Sequence, residues 1–361
     1  MPTADQILAT AEALRDQFEA LGGQVVNADV LQPANTLLDL YGEDIRARAY
    51  VTSDPLRGEM MLRPDFTVPV VQMHMETYAD PARYTYSGTV FRKQERDPNR
   101  ANEYVQVGYE VFDGQDPCGA DAEVFAAVAD ALAGLPVRAA TGDIGLLTAA
   151  IGGLKTSDAR KAALLRHLWR PNRFKSLLDR FCGLSKVPAA RAKLLANADP
   201  LKDAPSSIGL RSRAEVAARI DALKADAALP PISKEERSLI DAILGLSEAM
   251  PNVLSALRDI AVDLPSISDA VDEMDGRAEA MAGKGIDIDA LRFEGSYGRT
   301  SLEYYDGFVF GFYATDRADL PVLATGGRYD ALTAQLGEGR AVPAVGAVIR
   351  PDLLLTLQEG T

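Results

Sequence analysis

Cysteine and histidine are scarce in this 361-residue sequence, with two of each. Cys118 and Cys182 give no disulfide framework, and free thiols suit a reducing compartment. His74 and His167 have no Cys or His near them at ligand spacing, so a metal site is not expected. His74 lies between Met73 and Met75 and reads as a packed or surface side chain. No apolar run of roughly eighteen residues is present, so neither a spanning helix nor a membrane partner is expected. The opening Met1-Pro2-Thr3-Ala4-Asp5-Gln6 lacks the basic region and apolar core of a secretion signal, which points to the cytoplasm. Positive charge is the other shortage: 38 Lys and Arg stand against 52 Asp and Glu, a formal charge of −14. Gripping a nucleic-acid backbone normally requires a basic face, because Lys and Arg must neutralise phosphates. Arg92, Lys93, Arg96 and Arg100 offer only a small local patch, so no nucleic-acid partner is expected.

What is present is a globular composition, 47% hydrophobic and 25% charged, in a chain long enough for two or three domains. Ile7, Ala11, Leu14, Phe18 and Leu21 recur at helical spacing, with Thr3 and Gln6 as a capping box and Gly22-Gly23 as the stop. From Met60 to Phe112 the pattern reads as strands, punctuated by Pro64, Gly88 and the turn Asp97-Pro98-Asn99. Asp121 then reads as the cap of a helix with Val124, Phe125, Val128 and Leu132 on its apolar face. Residues 155–285 read as almost continuously helical, broken near Pro171, Pro188, Pro205, Pro230-Pro231, Pro251 and Pro265, with no fixed repeat. Strand character returns at Ile286–Ser296 and Leu302–Tyr313, before Gly326-Gly327-Arg328-Tyr329-Asp330 and a last helix. Strands at both ends of a helical middle indicate one interrupted sheet domain, 1–155 and 286–361, around a helical insertion at 156–285.

Along the strand Tyr104–Phe112, Gln106 and Glu110 share one face with Gly108 between them, while Val105, Val107, Tyr109 and Val111 share the other. An amide and a carboxylate on a rigid strand, above a glycine floor, suit a small-molecule site. Taken alone, the strand fits an ordinary exposed sheet face better.

Other segments shift that balance. Phe91-Arg92-Lys93-Gln94-Glu95-Arg96 followed by Glu103–Phe112 resembles motif 2 of class II aminoacyl-tRNA synthetases of the histidyl type. Leu62-Arg63-Pro64-Asp65-Phe66-Thr67 resembles their Leu-Arg-Pro-Glu-Gly-Thr loop, and Ser301-Leu302-Glu303-Tyr304-Tyr305 their Gly-Leu-Asp-Tyr-Tyr segment. Ala324–Asp330, whose two glycines read as a turn, and Pro343–Gly346 resemble the entry to motif 3. The four segments stand in family order and span nearly the whole chain, most weakly in the helical middle. The resemblance implies an α+β fold, a class II synthetase-like core with a mostly antiparallel sheet flanked by helices. It also implies a homodimer through the motif 1 region, roughly Leu21–Tyr41, where Val25, Val26 and Val30 read equally well as core strand residues.

The same resemblance implies a histidine pocket: Asp65 for the ammonium, Thr67 beside it, Gln106 at the backbone end, and Glu110 with Tyr305 for the imidazole. Arg92 and Tyr304 complete the set. Such acceptors suit ring N–H groups and reject apolar analogues, since an unpaired buried charge is costly. Asp65 is one methylene shorter than the family's glutamate.

The reactive positions depart from the family. Aligning Tyr304-Tyr305 puts Thr300 at the catalytic arginine, with Arg299 one residue off and therefore on the opposite face unless a bulge intervenes. Aligning motif 3 puts Arg350 at a glycine and Leu353 at an arginine that contacts ATP, and Gln94 replaces a glutamate. Losing one preorganised donor typically costs roughly 10²–10³ in rate. The sequence reaches Thr361 soon after motif 3, so an anticodon-binding domain is not expected. The best resemblance is to the catalytically silent members of this family, the regulatory subunits of ATP phosphoribosyltransferase. It implies no catalytic residues and no cofactor, a short-form catalytic subunit as partner, histidine as effector, and a homodimer within a hetero-oligomer. A divergent or truncated histidyl-tRNA synthetase is the alternative.

Overall fold

The computed structural model describes residues 2–41, 48–94, 100–202, 204–205, 208–299 and 304–359. The opening helix α1 spans Ala4–Ala20. Thr3 Oγ1 accepts from the Gln6 amide at 3.3 Å while Gln6 Oε1 accepts from the Thr3 amide at 2.7 Å, the reciprocal capping box. Ala11, Leu14 and Phe18 form its buried face. Leu21 leaves that face and is 47% exposed, and Gly22 follows at φ +95°, a left-handed stop.

The strands are β1 (Gln24–Val25), β2 (Leu31–Pro33), β3 (Val51–Asp54), β4 (Gly58–Leu62), β5 (Ala82–Phe91) and β6 (Glu103–Phe112). They continue as β7 (Val137–Asp143), β8 (Ser247–Ala249), β9 (Arg292–Glu294), β10 (Phe308–Ala314), β11 (Ala324–Arg328) and β12 (Ala344–Ile349). Nine of them form one sheet in the order β1-β5-β6-β12-β11-β10-β7-β9-β8, and β2-β4-β3 form a small second sheet. Within the large sheet only β1 with β5 and β7 with β9 pair in parallel, so it is mostly antiparallel and the chain is α+β. Every residue of β12 is buried, because its strand has cover on both faces.

The helices after α1 are α2 (Ala34–Tyr41), α3 (Thr67–Thr77), α4 (Pro117–Ala131), α5 (Ile144–Gly153), α6 (Asp158–Arg166), α7 (Pro171–Phe181) and α8 (Ala189–Ala196). Then come α9 (Arg213–Ala228), α10 (Lys234–Gly245), α11 (Met250–Asp263), α12 (Ser268–Gly283), α13 (Asp330–Leu336) and α14 (Pro351–Gln358). Phe18 of α1 stacks on Tyr109 of β6, ring centroids 5.2 Å apart, and the Tyr109 hydroxyl donates to Glu123 of α4 at 2.7 Å. The odd-numbered positions of β6 therefore face α1 and α4. Its even-numbered positions face the candidate site.

Several sequence readings change. The segment read as strands from Met60 to Phe112 contains α3, where Val68, Val71 and Met75 are buried at helical spacing and Pro69 falls in the first turn, which needs no amide donor. Valine-rich composition hid that period. His74 is packed inside α3: its ring stacks on Phe112 with centroids 3.7 Å apart, and burial pushes its pKa down to about 4. Asp121 does not cap α4. Asp116 does, accepting from the Gly119 amide at 2.9 Å, while Asp121 is buried inside the helix and held by two arginines.

Gly326 and Gly327 form no turn; both lie within β11, where a Cβ on Gly326 would stand 2.5 Å from the Phe310 ring. Val26 is buried, but Val25 and Val30 are 40% and 42% exposed, so only one of the three is a core residue. Within the stretch 156–285, β8 pairs with β9 at the edge of the large sheet. Arg277 of α12 bridges Asp121 and Asp143 at 2.8 and 2.9 Å, so this end of the helical stretch is tied to the sheet layer. Arg96, the turn Asp97-Pro98-Asn99 and the segment Thr300–Glu303 lie outside the described residues.

Candidate functional site

Cross-strand register assembles the site. Tyr84 and Gly346 flank Glu110, Tyr86 and Val348 flank Gly108, and Gly88 lies opposite Gln106. Each group shares a face with its neighbours across the rungs.

At the centre, Glu110 is 1% exposed and accepts from three hydroxyls. Thr67 and Tyr86 reach Oε1 at 3.0 and 2.7 Å, and Tyr329 reaches Oε2 at 2.6 Å. Burial pushes its pKa up to about 7, against the three hydroxyls that pull it down, with Asp65 adding a smaller upward push. Tyr86 and Tyr329 are buried phenols and are held well above the ordinary phenol value, first by burial and then by the Glu110 charge.

Two glycines make room for this cluster. A Cβ on Gly346 would lie 1.4 Å from Glu110 Oε2, and a Cβ on Gly108 would lie 2.1 Å from the Tyr86 ring. The glycine floor expected under a ligand is therefore covered by Tyr86. Gly108 serves a side chain of the chain itself.

The loop before α3 delivers two more residues. Arg63 anchors it, donating Nε to the Thr89 carbonyl at 2.8 Å, bonding the Ala28 carbonyl, and lying 4.0 Å over the Phe66 ring. Phe66 in turn stacks on Tyr86 at 4.4 Å. Asp65 and Thr67 are thereby held buried beside Glu110, at 3% and 4% exposure. Tyr304 donates to Thr67 Oγ1 at 3.4 Å and its ring meets Tyr305 edge-on at 4.8 Å. Tyr305 is buried, which raises its pKa, with Glu110 as the next cause.

Gln106 is buried at 2% exposure, and its Oε1 has no hydrogen-bond partner among the described residues. An orphaned buried acceptor is costly unless something donates to it. The amide borders a cavity of about 230 Å³ that also touches Arg92, Lys93, Arg100, Tyr104 and Arg350. Arg92 donates Nε to the Pro64 carbonyl at 2.7 Å, linking the loop to this cavity. Arg350 lies 3.9 Å over the Tyr104 ring and pairs with Asp352 at 2.7 Å, so its charge is largely matched within the chain. Arg299 turns elsewhere: its Nε donates to the Leu168 carbonyl at 2.9 Å and its guanidinium covers Phe174 at 4.7 Å.

The seven residues singled out from the sequence fall into two neighbouring groups: Arg92 and Gln106 border the cavity, whereas Asp65, Thr67, Tyr304 and Tyr305 gather around Glu110 and, like it, do not line that cavity. Thr67, Glu110 and Tyr304 are linked by hydrogen bonds, and Arg92 and Gln106 line the cavity beside them. Sequence reasoning missed Tyr86 and Tyr329 as donors to Glu110. Tyr329 stood inside a quoted motif without a role, and Tyr86 was discoverable only through its register opposite Gly108. Buried acceptors ringed by hydroxyls suit a small ligand rich in N–H groups. Glu110 accepts three bonds, and a carboxylate has about four acceptor sites, which leaves capacity for one more donor.

A sequence profile of the family described as histidyl-tRNA synthetase matches residues 1–229 and 210–354. A relative from Agrobacterium fabrum named ATP phosphoribosyltransferase regulatory subunit is 32% identical, covering 96% of both chains. A protein of the same name from Brucella canis is 30% identical over 96% of both chains. Among solved structures, an ATP phosphoribosyltransferase regulatory subunit/histidyl-tRNA synthetase from Bacillus halodurans superposes with a TM-score of 0.69 at 21% identity, covering 98% of this chain and 79% of that one. The histidyl-tRNA synthetase from Nostoc gives a TM-score of 0.64 at 16% identity, covering 98% and 72%. These two establish the fold. The full-length identities go further: the chain belongs to the family of histidyl-tRNA synthetase-like proteins that includes the ATP phosphoribosyltransferase regulatory subunits.

Proposed function

We propose that this chain is a non-catalytic regulatory subunit of ATP phosphoribosyltransferase that binds free histidine and passes its signal to a separate catalytic subunit. The observation that carries the reading is the similarity to proteins of that name, 30–32% identical over 96% of each chain. In this reading the chain works in the cytoplasm as a homodimer inside a hetero-oligomer. The sheet domain holds the ligand and the helical stretch 156–285 is an insertion in it.

The buried acceptors support histidine as the ligand. Asp65 faces the ammonium, Gln106 Oε1 takes a second N–H, and Arg92 beside the cavity meets the carboxylate. Glu110 uses its remaining acceptor site for a ring N–H, with Tyr305 closing the pocket. Arg299, committed to Leu168 and Phe174, does not replace a catalytic arginine in this scheme.

Histidine then biases a two-state assembly, a coupling of about 1–3 kcal/mol that is reciprocal between the two ligand sites. The test is calorimetric titration of the purified chain with histidine. Binding that disappears in Glu110→Ala, together with no histidine-dependent ATP–pyrophosphate exchange, is the expected result. Exchange activity would favour a ligase instead.

A further inference from the structure

The charge of the chain is strongly divided. Sixteen of its 38 Lys and Arg but only seven of its 52 Asp and Glu fall between residues 155 and 228, so this stretch carries +9 and the remainder −23. The stretch is the helical block α6–α9.

Two of its arginines share a single carboxylate. Arg160 and Arg191 both pair with Asp226, at 2.7 and 3.4 Å. Burial and then the Arg191 and Arg160 charges hold Arg180 below the ordinary guanidinium value, with Asp226 opposing. Near the start of α7, burial and then Arg170, Arg173 and Arg166 push the His167 imidazole down, with no carboxylate among the causes. Like charges therefore lie close together at two places in the block, around Arg180 and around His167.

Exposed aliphatic side chains lie among the cations: Leu184 at 54%, Val187 at 57%, Ile208 at 102% and Leu210 at 107% exposure. Helix α8, between them, has no buried residue at all. The aromatic side chains of the stretch, Trp169, Phe174 and Phe181, are buried or half-buried, so none is presented for base stacking. Cations around aliphatic contacts are the composition of a protein interface, and the −23 remainder would repel a long polyanion.

We infer that the face around α8 is a docking surface for an acidic protein surface and that its occupant is the catalytic subunit. This rests on the regulatory reading above. Attraction between +9 and an acidic face speeds encounter and fixes orientation, and the exposed aliphatics supply the desolvated centre.

The test is association of the full-length chain with the purified cognate catalytic subunit across a salt series, for wild type and for Lys186→Glu/Lys193→Glu/Arg211→Glu. All three residues are exposed and stand outside the candidate pocket. The expected result is at least tenfold weaker association and a flattened salt dependence, with histidine binding by the isolated chain unchanged. The neutral variant Lys186→Gln/Lys193→Gln should fall between. Wild-type-like association of the reversed variant overturns the docking assignment alone. So does an effect confined to a single-stranded RNA probe or to self-association. No association by the wild-type chain instead removes the regulatory reading with it.

Discussion

The Tyr329 hydroxyl donates to Glu110 Oε2 at 2.6 Å, across 219 positions of sequence. One bond thereby joins the residue that follows β11 to the last part of β6 at the centre of the candidate site. The preceding residue, Arg328 of β11, pairs with Asp121 at 2.7 Å, so the candidate site and the buried ion network are adjacent in the chain.

Tyr329→Phe keeps the ring and removes the donor. One oxygen of a buried carboxylate then loses its hydroxyl, which should cost roughly 1–3 kcal/mol of stability. Histidine should also bind more weakly, because Glu110 is less held in its ionised form. Chemical denaturation and calorimetry on the same samples check both effects. Unchanged stability would mean that the contact carries nothing.

Gly108→Ala should destabilise by about 1–3 kcal/mol through overpacking, since the new methyl collides with the Tyr86 ring. Adding Tyr86→Ala should recover part of that loss. A double-mutant cycle reads the coupling directly, and strict additivity would deny the contact.

Glu110 sets a pH dependence whose sign is definite. Its folded pKa of about 7 stands above the ordinary 4.5, so the folded state holds the proton more tightly. This group's contribution is therefore most favourable at low pH and is lost as pH rises from about 4.5 through about 7. The loss is on the order of 3 kcal/mol at full ionisation. Glu110→Gln should flatten that part of the stability curve in urea unfolding at several pH values. An unchanged difference between wild type and variant across this range contradicts the assignment.

Arg277→Ala should be severe, about 3–5 kcal/mol, because it leaves Asp143 buried without its arginine and Asp121 with Arg328 alone. Arg299→Ala should leave histidine binding intact, since that side chain faces Leu168 and Phe174. Thermal melts and titrations separate the two.

Much of this was legible in the sequence wherever local chemistry decides the outcome. The capping box of α1 needs only Thr3 and Gln6, and the shared face of Gln106 and Glu110 follows from strand alternation. Long-range partners were not legible. Asp121 looked like a cap because Arg277 and Arg328, 156 and 207 positions away, are invisible to local pattern. Gly326 and Gly327 looked like a turn because nothing local reveals that Phe310 and Tyr305 pack against their backbone. Helix α3 was hidden because β-branched valines prefer strands until packing on both sides overrides that preference.

The most direct measurement is histidine inhibition of phosphoribosyl transfer by the reconstituted complex, with wild-type chain and with Glu110→Gln. Inhibition should be present with the wild type and weakened at least tenfold with the variant, while both still support the uninhibited reaction. Equal inhibition by the two, or none by either, would contradict a histidine signal read through Glu110.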